Sequence, residues 1–368
     1  MTERIGLWLN GARGSVATTA VSGLLALRAG LVPPTGCVTE LLDADLPRWD
    51  AFVVGGHDIA TTPLAKRVES LVRDGVLSHD VAARVGRGLD AADAEIRPGY
   101  DPGAFHGSQA DAARRLAADI TDFRSRHGLA RVVVVNVASS EPSARVPHDS
   151  LAALEEALAV PGGVLLPPSS LIAYAAFQAG CAFVDLTPST GAALPALDEL
   201  ARSRSLPYAG RDGKTGEMLL RAALAPMFTS RALRVLSWAG TTLQGSGDGE
   251  QTSNAGGLAA LLGEGATAPL HTDHVPDLGE RGTVWDHVSF EGFLGARMSL
   301  QLTWSGLDCS LAAPLVLDLA RLVAAAHAAG RVGAQGALAF FFKDPLGSDE
   351  HRLAEQAREL HEWARSLA

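Results

Sequence analysis

Two glycine-containing segments of the chain could each bind an anionic group. The first contains Gly11 and Gly14 and lies between the apolar run 5–9 and the helix-like segment 15–29. Small residues at such a turn let backbone N–H groups approach a pyrophosphate, and the helix N-terminus adds a favourable field. Glu40 ends the next apolar run, where a carboxylate would accept hydrogen bonds from an adenosine ribose. The pattern predicts a dinucleotide site, with an ordinary strand-to-helix turn as the alternative.

The second segment, residues 210–217, precedes the helix-like run 218–225. Backbone N–H groups around Thr215, Gly216 and Glu217 could point together at a substrate phosphate. Asp212 and Lys214 flank this position with opposite charges. The segment lacks a preceding Walker-type glycine loop, which disfavours a nucleoside triphosphate. A helix cap with a solvated lysine is the alternative.

Lysine is rare in this chain, which makes each lysine informative. Lys343 follows three phenylalanines and precedes Asp344 and a proline, so a cation is predicted at the end of a buried strand. There it could donate a proton or stabilise a developing enolate oxygen, unless its side chain simply reaches solvent. Asp308 leads into the apolar run 311–319, where it is predicted to be the helix N-cap.

Composition and charge exclude several classes of protein. The 368 residues carry 41 acidic and 31 basic side chains, a formal charge of −10, so nucleic acid is not an expected partner. Three separated cysteines indicate neither a disulfide framework nor a thiolate metal site. His271, His274 and His287 fit no standard zinc spacing, so no metal is expected. No leader or membrane span is recognisable, which favours a soluble cytoplasmic protein.

The elements that must position these residues alternate between strands and helices in the first part of the chain. Strands are predicted at 5–9, 36–39, 131–136 and 181–185, and helices at 15–29 and 171–179. The Ala-, Arg-, Asp- and Leu-rich stretches 66–98 and 108–127 read as a helical insertion. This alternation is typical of an α/β fold with a parallel sheet.

The pattern changes after about residue 225. Segments 233–238 and 297–304 alternate between apolar and polar residues, which predicts a second, antiparallel sheet. An apolar helix over 311–329, a strand over 337–342 and a charged terminal helix are expected to return to the first domain. Three segments are predicted. Residues 1–225 form the first domain, with the helical insertion at about 60–130; residues 226–309 form the second sheet; and residues 310–368 return to the first domain.

Several blocks, in order along nearly the whole chain, resemble the myo-inositol-1-phosphate synthase family, particularly its shorter prokaryotic form. They are the segments 11–16, 136–142, 187–189, 212–217, 290–295, 312–318 and 340–345. The resemblance implies a Rossmann-type domain that binds NAD and is completed by the C-terminus, with an inserted α+β catalytic and tetramerisation domain. It also implies a homotetramer.

The family oxidises glucose 6-phosphate at C5, forms an enolate at C6, closes the ring onto C1 and reduces the ketone again, so NAD is recycled. By resemblance, NAD binds at Gly11, Ala12, Arg13, Gly14, Ser15, Val16 and Glu40, with Asn136, Ala138 and Ser139 bordering the nicotinamide. Asp212 lies near the nicotinamide, and Thr215, Gly216 and Glu217 bind the substrate phosphate. Lys214, Asp248, Asp308 and Lys343 line the sugar pocket, with Asp248 and Asp308 also beside the cofactor.

The chain departs from the family where positive charge is expected. Two lysines are absent from the loop around residues 248–257, a third is replaced by Gly282, and a phosphate-binding threonine is Met218. Arg281 is the predicted replacement cation for the phosphate. The alternatives are a carbocyclase that makes a five-membered cyclitol phosphate from fructose 6-phosphate, a net NAD-dependent dehydrogenase, and a binding protein without catalysis.

Overall fold

The computed structural model of the chain describes residues 3–142, 149–245 and 265–367. These residues form two β-sheets. The strands of the larger sheet are β1 (Ile5–Asn10), β2 (Phe52–Asp58), β3 (Ile96–Pro98), β4 (Arg131–Asn136), β5 (Ala182–Asp185), β6 (Pro207–Ala209) and β11 (Gly333–Ala334). All seven are parallel, in the order β11-β6-β5-β4-β1-β2-β3.

The direction of winding reverses between β1 and β4. The chain runs from β1 to β2 and β3 on one side, and from β4 to β5 and β6 on the other. This is the doubly wound α/β arrangement, in which a crevice opens at the carboxyl ends of the strands on either side of the reversal. The predicted Rossmann-type fold is confirmed.

Ten helices are described: α1 (Ser15–Arg28), α2 (Leu64–Arg73), α3 (His79–Asp93), α4 (Gln109–His127), α5 (Leu151–Leu158), α6 (Pro168–Gln178), α7 (Pro195–Ser203), α8 (Gly216–Ser230), α9 (Asp308–Ala328) and α10 (Leu353–Arg365). Helices α1, α2, α3, α9 and α10 pack on one face of the larger sheet, and α4 to α7 pack on the other. Covered on both faces, β4 is a continuous apolar run, Val132–Val135, with no exposed side chain.

The smaller sheet consists of β7 (Arg234–Gln244), β8 (Leu270–His274), β9 (Arg281–Glu291) and β10 (Arg297–Leu307), in the order β10-β9-β7-β8. Helix α8 packs on one face of this sheet, where Phe228 meets Trp238 and Val288. The pairs β7–β9 and β9–β10 are antiparallel, but β7 and β8 are parallel. The expectation of an antiparallel second sheet is therefore wrong for one of its three strand pairs.

The C-terminal part returns to the larger sheet, as expected. Helix α9 packs beside α1, and β11 pairs with β6. By length and composition α9 alone among the described helices could cross a membrane, but 78% of its most apolar window is buried inside the protein. Helix α9 is therefore a core helix, packed against α1 and the larger sheet.

Two predicted strands are wrong, and several observed strands were not predicted, among them β2 beside β1. Residues Val38–Leu41 and Gly336–Phe341 form 3₁₀ helices instead of strands. The strand beside β1 is β2, whose interior glycines obscured it in the sequence. A Cβ atom on Gly55 would lie 2.9 Å from ring atoms of Trp8 and Phe123, so packing requires glycine there. The predicted insertion also contains the short strand β3, and the predicted division at residue 225 falls inside α8.

Candidate functional site

The first βα turn has the shape of a dinucleotide cradle. Gly11 has φ = +82°, and a Cβ atom there would lie 2.6 Å from Cα of Ala138, so only glycine fits. The close approach joins the loops after β1 and β4, on the two sides of the winding reversal. A dinucleotide crosses doubly wound sheets at this place.

The N-terminus of α1 is open to an anion. Its N-cap, Gly14, provides no side chain that could accept from the first-turn N–H groups, and the first turn has no acidic residue. These N–H groups and the helix dipole favour a pyrophosphate. The Ser15 hydroxyl donates to the Glu280 carboxylate, which reaches this turn from the loop before β9. The loop therefore fits the phosphates of NAD.

Glu40 does not end a strand, contrary to the prediction. Its carboxylate accepts a hydrogen bond of 2.6 Å from Nη1 of Arg321 on α9, and the Arg321 guanidinium lies 4.1 Å from the centre of the Trp49 ring. The end of the strand next to β1 is occupied by Asp58. Asp58 Oδ2 accepts from the backbone N–H of Arg13 at 2.6 Å, and Oδ1 accepts from that of Ala60 at 2.7 Å.

Asp58 thus lies against the glycine loop where a ribose carboxylate is expected in this fold. A usable signal was present, since His57 and Asp58 follow an apolar run with two glycines. The other loop residues have structural contacts. Ala12 is buried, and the Arg13 guanidinium pairs with Asp93 at 3.2 Å.

Polar side chains form a row along the carboxyl ends of β1, β4 and β5. Asn10 Nδ2 donates to Asn136 Oδ1 at 2.8 Å, and Asn136 Nδ2 donates to Asp185 Oδ1 at 3.0 Å. The N–H of Ala138 donates to Asn136 Oδ1 at 3.4 Å, while Ser139 is exposed in the same loop. The structure brings Asn136, Ala138 and Ser139 together at the carboxyl end of β4, beside the reversal of winding.

A second pocket lies between the first turn of α8, the smaller sheet and the start of α9. Its lining combines five predicted site residues with six others: Thr215, Gly216, Glu217, Met218, Thr242, Gln244, Gly282, Val284, Trp304, Asp308 and Lys343. The N-cap of α8, Thr215, makes no side-chain cap hydrogen bond. The helix N-terminus can therefore accept an anion.

Lys343 is the cation of this pocket among the described lining residues. Its Nζ lies 2.9 Å from Oδ1 of Asp212, and its backbone N–H donates to the Asp212 carbonyl at 2.7 Å. Asp212 has φ = +60° and is 9% exposed. The pair is therefore held by both backbone and side chains at the edge between the larger sheet and α8.

Asp308 is the first residue of α9, not its N-cap, which is Leu307. Its carboxylate faces the start of α8, since a Cβ on Gly216 would lie 3.0 Å from Oδ1. Burial raises the pKa of Asp308, and the Lys343 ammonium opposes this shift. A carboxyl and a cation thus face the same pocket and can share a proton with a bound substrate.

Lys214 is not in the pocket. Its Nζ donates to Gln356 Oε1 on α10, in a buried position behind α8. Burial lowers the pKa of Lys214 to about 8. Its predicted place in the sugar pocket is therefore wrong.

Arg281 is also absent from the pocket. Neighbours along a strand face opposite sides, and Gly282 and Val284 face the pocket while Arg281 is exposed on the other side. The prediction that Arg281 replaces the lost cations is not supported by this geometry. Asp248 lies outside the described residues.

Sequence reasoning missed a buried charge network behind Glu217. Arg221, with no exposed surface, pairs with Glu217 one turn earlier in α8 and with Asp286 on β9, the latter at 2.6 Å. Thr242 donates to the other Glu217 oxygen at 3.2 Å. Burial raises the pKa of Glu217, and the Arg221 charge opposes this. The i,i+4 spacing of Glu217 and Arg221 was the available signal.

Similarity to known proteins extends over nearly the whole chain. The profile of the family described as myo-inositol-1-phosphate synthase matches residues 5–365. Inositol-3-phosphate synthase 1 of Bacteroides thetaiotaomicron is 30% identical, over 95% of this chain and 91% of the relative. The human inositol-3-phosphate synthase 1 is 28% identical over 59% of this chain and 42% of its own length.

Two solved structures share the fold. The inositol-3-phosphate synthase of Caenorhabditis elegans superposes with a TM-score of 0.87 at 18% identity, covering 100% of this chain and 86% of that one. A myo-inositol-1-phosphate synthase-related protein from Thermotoga maritima gives 0.78 at 23% identity, covering 98% of each chain.

Proposed function

Because this chain belongs to the myo-inositol-1-phosphate synthase family, whose cofactor is NAD, we propose that it is a sugar-phosphate carbocyclase acting on a hexose 6-phosphate. Bound NAD would supply reversible hydride transfer at C5 of the sugar. The proposed cofactor residues are Gly11, Ala12, Arg13, Gly14, Ser15, Val16, Asn136, Ala138 and Ser139. Asp58 replaces Glu40 as the proposed ribose acceptor.

The Lys343–Asp212 pair supports this proposal most directly. Loss of the C5 hydride and hydroxyl proton leaves a ketone, and loss of a C6 proton then gives an enolate. C6 attacks the C1 carbonyl, whose oxygen takes a proton, and the returned hydride with a proton restores the C5 alcohol. An ammonium held 2.9 Å from a carboxylate stabilises the developing oxygen charge without reorganisation. Asp308 is the proposed partner for proton transfer.

The open N-terminus of α8, at Thr215, Gly216 and Glu217, is the proposed phosphate site. Arg221 neutralises Glu217 from behind, so the carboxylate repels the phosphate less. Among the described lining residues only Lys343 is cationic. Met218 and Gly282 stand where the family resemblance implies a threonine and a lysine. This changed lining favours a second candidate: closure of fructose 6-phosphate to a five-membered cyclitol phosphate.

Product analysis tests the proposal. The enzyme is incubated with NAD and, separately, glucose 6-phosphate and fructose 6-phosphate, and products are identified by mass spectrometry and NMR. A six-membered cyclitol phosphate from glucose 6-phosphate is expected. A five-membered product from fructose 6-phosphate would establish the second candidate. Accumulation of NADH with a keto sugar would show a net dehydrogenase, and no turnover would contradict the proposal.

A matched pair of lysine variants tests the site. Lys343→Met is expected to lose about 10²–10³-fold in turnover, with NAD affinity retained, because the oxyanion loses its cation. Lys214→Met should keep most of the turnover, since its side chain contacts Gln356 outside the pocket. The reverse order of effects would reassign the catalytic lysine.

We further propose that the enzyme is a cytoplasmic homotetramer. The face of the smaller sheet opposite α8 carries exposed Trp285, and the β9–β10 turn exposes Phe293 and Leu294. Apolar side chains exposed together mark a protein interface.

A further inference from the structure

Asp185 is a buried acid that the proposed reaction does not use. It ends β5 and is 1% exposed. Oδ1 accepts three hydrogen bonds, from Thr187 N at 2.9 Å, Thr187 Oγ1 at 2.7 Å and Asn136 Nδ2 at 3.0 Å. Oδ2 has no hydrogen-bond partner within residues 3–142, 149–245 and 265–367. One oxygen is thus fixed and the other is left without a donor.

The backbone packs tightly against the second oxygen. A Cβ atom on Gly191 would lie 2.1 Å from Oδ2, so glycine is required there. Burial raises the pKa of Asp185 to about 7, although the Thr187 and Asn136 hydrogen bonds favour the carboxylate. Its charge therefore changes near neutral pH.

Other charged groups surround this position. Glu141, in the loop after β4, raises the pKa of Asp185 further and is itself engaged by Ser169. From the loop after β6, Arg211 donates to the carbonyls of Pro188 and Ser189 and pairs with Asp344 at 2.7 Å. The Lys343–Asp212 pair lies in the same region, because the Asp212 N–H donates to the Thr187 carbonyl. Among the described residues, none of the hydrogen-bonding or charged partners of Asp185 is a cation.

The topology places Asp185 on the nicotinamide half of the crevice. In a doubly wound sheet the dinucleotide crosses at the reversal, here between β1 and β4. The glycine loop and Asp58 lie on the β1–β2 half, so the nicotinamide lies over β4 and β5. Asp185 is paired in register with Asn136 at the carboxyl end of β4. This step rests on the proposed orientation of NAD.

We propose that the charge on Asp185 sets the preference of the enzyme for oxidised over reduced cofactor. The oxidised nicotinamide ring carries a positive charge, and the reduced ring is neutral. A carboxylate in a buried setting acts on such a charge more strongly than it would in water. Ionised Asp185 therefore stabilises bound NAD⁺ and leaves bound NADH nearly unaffected.

The sign of the pH dependence follows from linkage. NAD⁺ favours the ionised carboxylate, so NAD⁺ binding tightens relative to NADH as Asp185 loses its proton. We expect the ratio of the NADH to the NAD⁺ dissociation constant to rise about tenfold between about pH 5.5 and about pH 8.5. A tenfold change corresponds to a one-unit difference in Asp185 pKa between the two complexes.

Calorimetric titration of the full-length enzyme with NAD⁺ and with NADH, without sugar, tests the proposal. Asp185→Asn keeps the side-chain shape and removes the charge. Its ratio of the NADH to the NAD⁺ dissociation constant should therefore be independent of pH, and about tenfold lower than that of wild type at about pH 8.5. Glu141→Gln removes the neighbouring acid and should keep the pH dependence. Asp58→Asn should weaken both cofactor forms equally, since they share the adenosine half.

The outcomes separate this proposal from the proposed function. If both cofactor forms bind wild type with a ratio that does not change with pH, the role of Asp185 is wrong, while the carbocyclase assignment stands. The role of Asp185 is also wrong if Glu141→Gln abolishes the pH dependence of this ratio and Asp185→Asn does not. If neither NAD⁺ nor NADH binds, both the proposed cofactor site and the role of Asp185 are wrong. Should Asp185→Asn fail to fold, the pH dependence of the dissociation-constant ratio in wild type and in Glu141→Gln tests the proposal.

Discussion

Among single residues of the cofactor loop, Gly11 is constrained more tightly than Gly14. Gly11 has a positive φ and meets backbone atoms of residues 137–138. Gly14 has φ = −69°, and a Cβ there would meet only the Gly11 carbonyl oxygen, at 3.2 Å. A side chain at position 11 therefore has to separate the two loops that form the crevice.

We predict that Gly11→Ala weakens NAD binding at least about tenfold, because its methyl group and strained φ displace the loop. Calorimetry measures this. Gly23→Ala is the control: it lies inside α1 with no atom within 4 Å of the added Cβ. That variant should keep its NAD affinity and gain about 0.5–1 kcal/mol of stability. If folded Gly11→Ala binds NAD with wild-type affinity, the glycine loop is not the NAD site.

Lys214 is expected to affect stability in a pH-dependent way. Its pKa is about 8 in the folded protein and 10.5 in the unfolded chain, so the unfolded state binds more protons between these values. Wild-type stability therefore gains about 3 kcal/mol from this residue as the pH rises from 8 to 10.5. Lys214→Met lacks this gain.

Urea titrations across this pH range measure the difference in unfolding free energy between Lys214→Met and wild type. The difference, variant minus wild type, should fall by about 3 kcal/mol as the pH rises. A difference that stays constant would place the ammonium in solvent rather than beside Gln356.

At the scale of elements, α8 connects the candidate phosphate site to the smaller sheet. Arg221 links the helix to the sheet, since it pairs with Glu217 on its own helix and with Asp286 on β9. The guanidinium also lies 5.7 Å from the centre of the Trp238 ring. The orientation of the helix N-terminus is thus coupled to the sheet by buried charge.

We predict that Arg221→Met lowers the unfolding free energy by about 3–5 kcal/mol, because Asp286 keeps a buried charge without its partner. Arg358→Met on α10 is the matched control. Arg358 pairs with Glu355 and Glu362 on an exposed surface, so its loss should lower the unfolding free energy much less than the loss of Arg221. Chemical denaturation measures both, and equal losses would contradict a buried network.

At the scale of the whole molecule, the smaller sheet has one covered face and one open face. Val284 and Val288 are buried on the α8 side, whereas Trp285 is 43% exposed on the other. At the β9–β10 turn, Phe293 and Leu294 are more than 85% exposed. Such a surface fits association with a second copy of the chain.

We predict that Trp285→Glu lowers the oligomeric state, because a charge on this face would be buried without a partner. Light scattering coupled to size-exclusion chromatography measures the mass. Val160→Glu is the control, since Val160 is 56% exposed just beyond the end of α5, far in sequence from the smaller sheet. An unchanged mass for Trp285→Glu would show that copies associate elsewhere.

The sequence by itself determined the locally encoded parts of this protein. The strand, glycine turn and helix over residues 5–28, the apolar strand β4 and the helix α9 were predicted at nearly their observed positions, and α8 over its first half. Their signals are short-range: turn glycines, β-branched runs and helical spacing. The block resemblance supplied the family, and with it NAD.

Only the tertiary structure decided which side chains meet. Lys214 and Lys343 were both predicted to line the sugar pocket, yet of the two only Lys343 does. Arg281 and Gly282 are adjacent, but strand alternation and the covering helix α8 send them to opposite faces. Asp58, rather than Glu40, ends the strand beside β1, because β2, not residues 36–39, pairs with β1. Long-range packing and register, which local sequence does not encode, fix these choices.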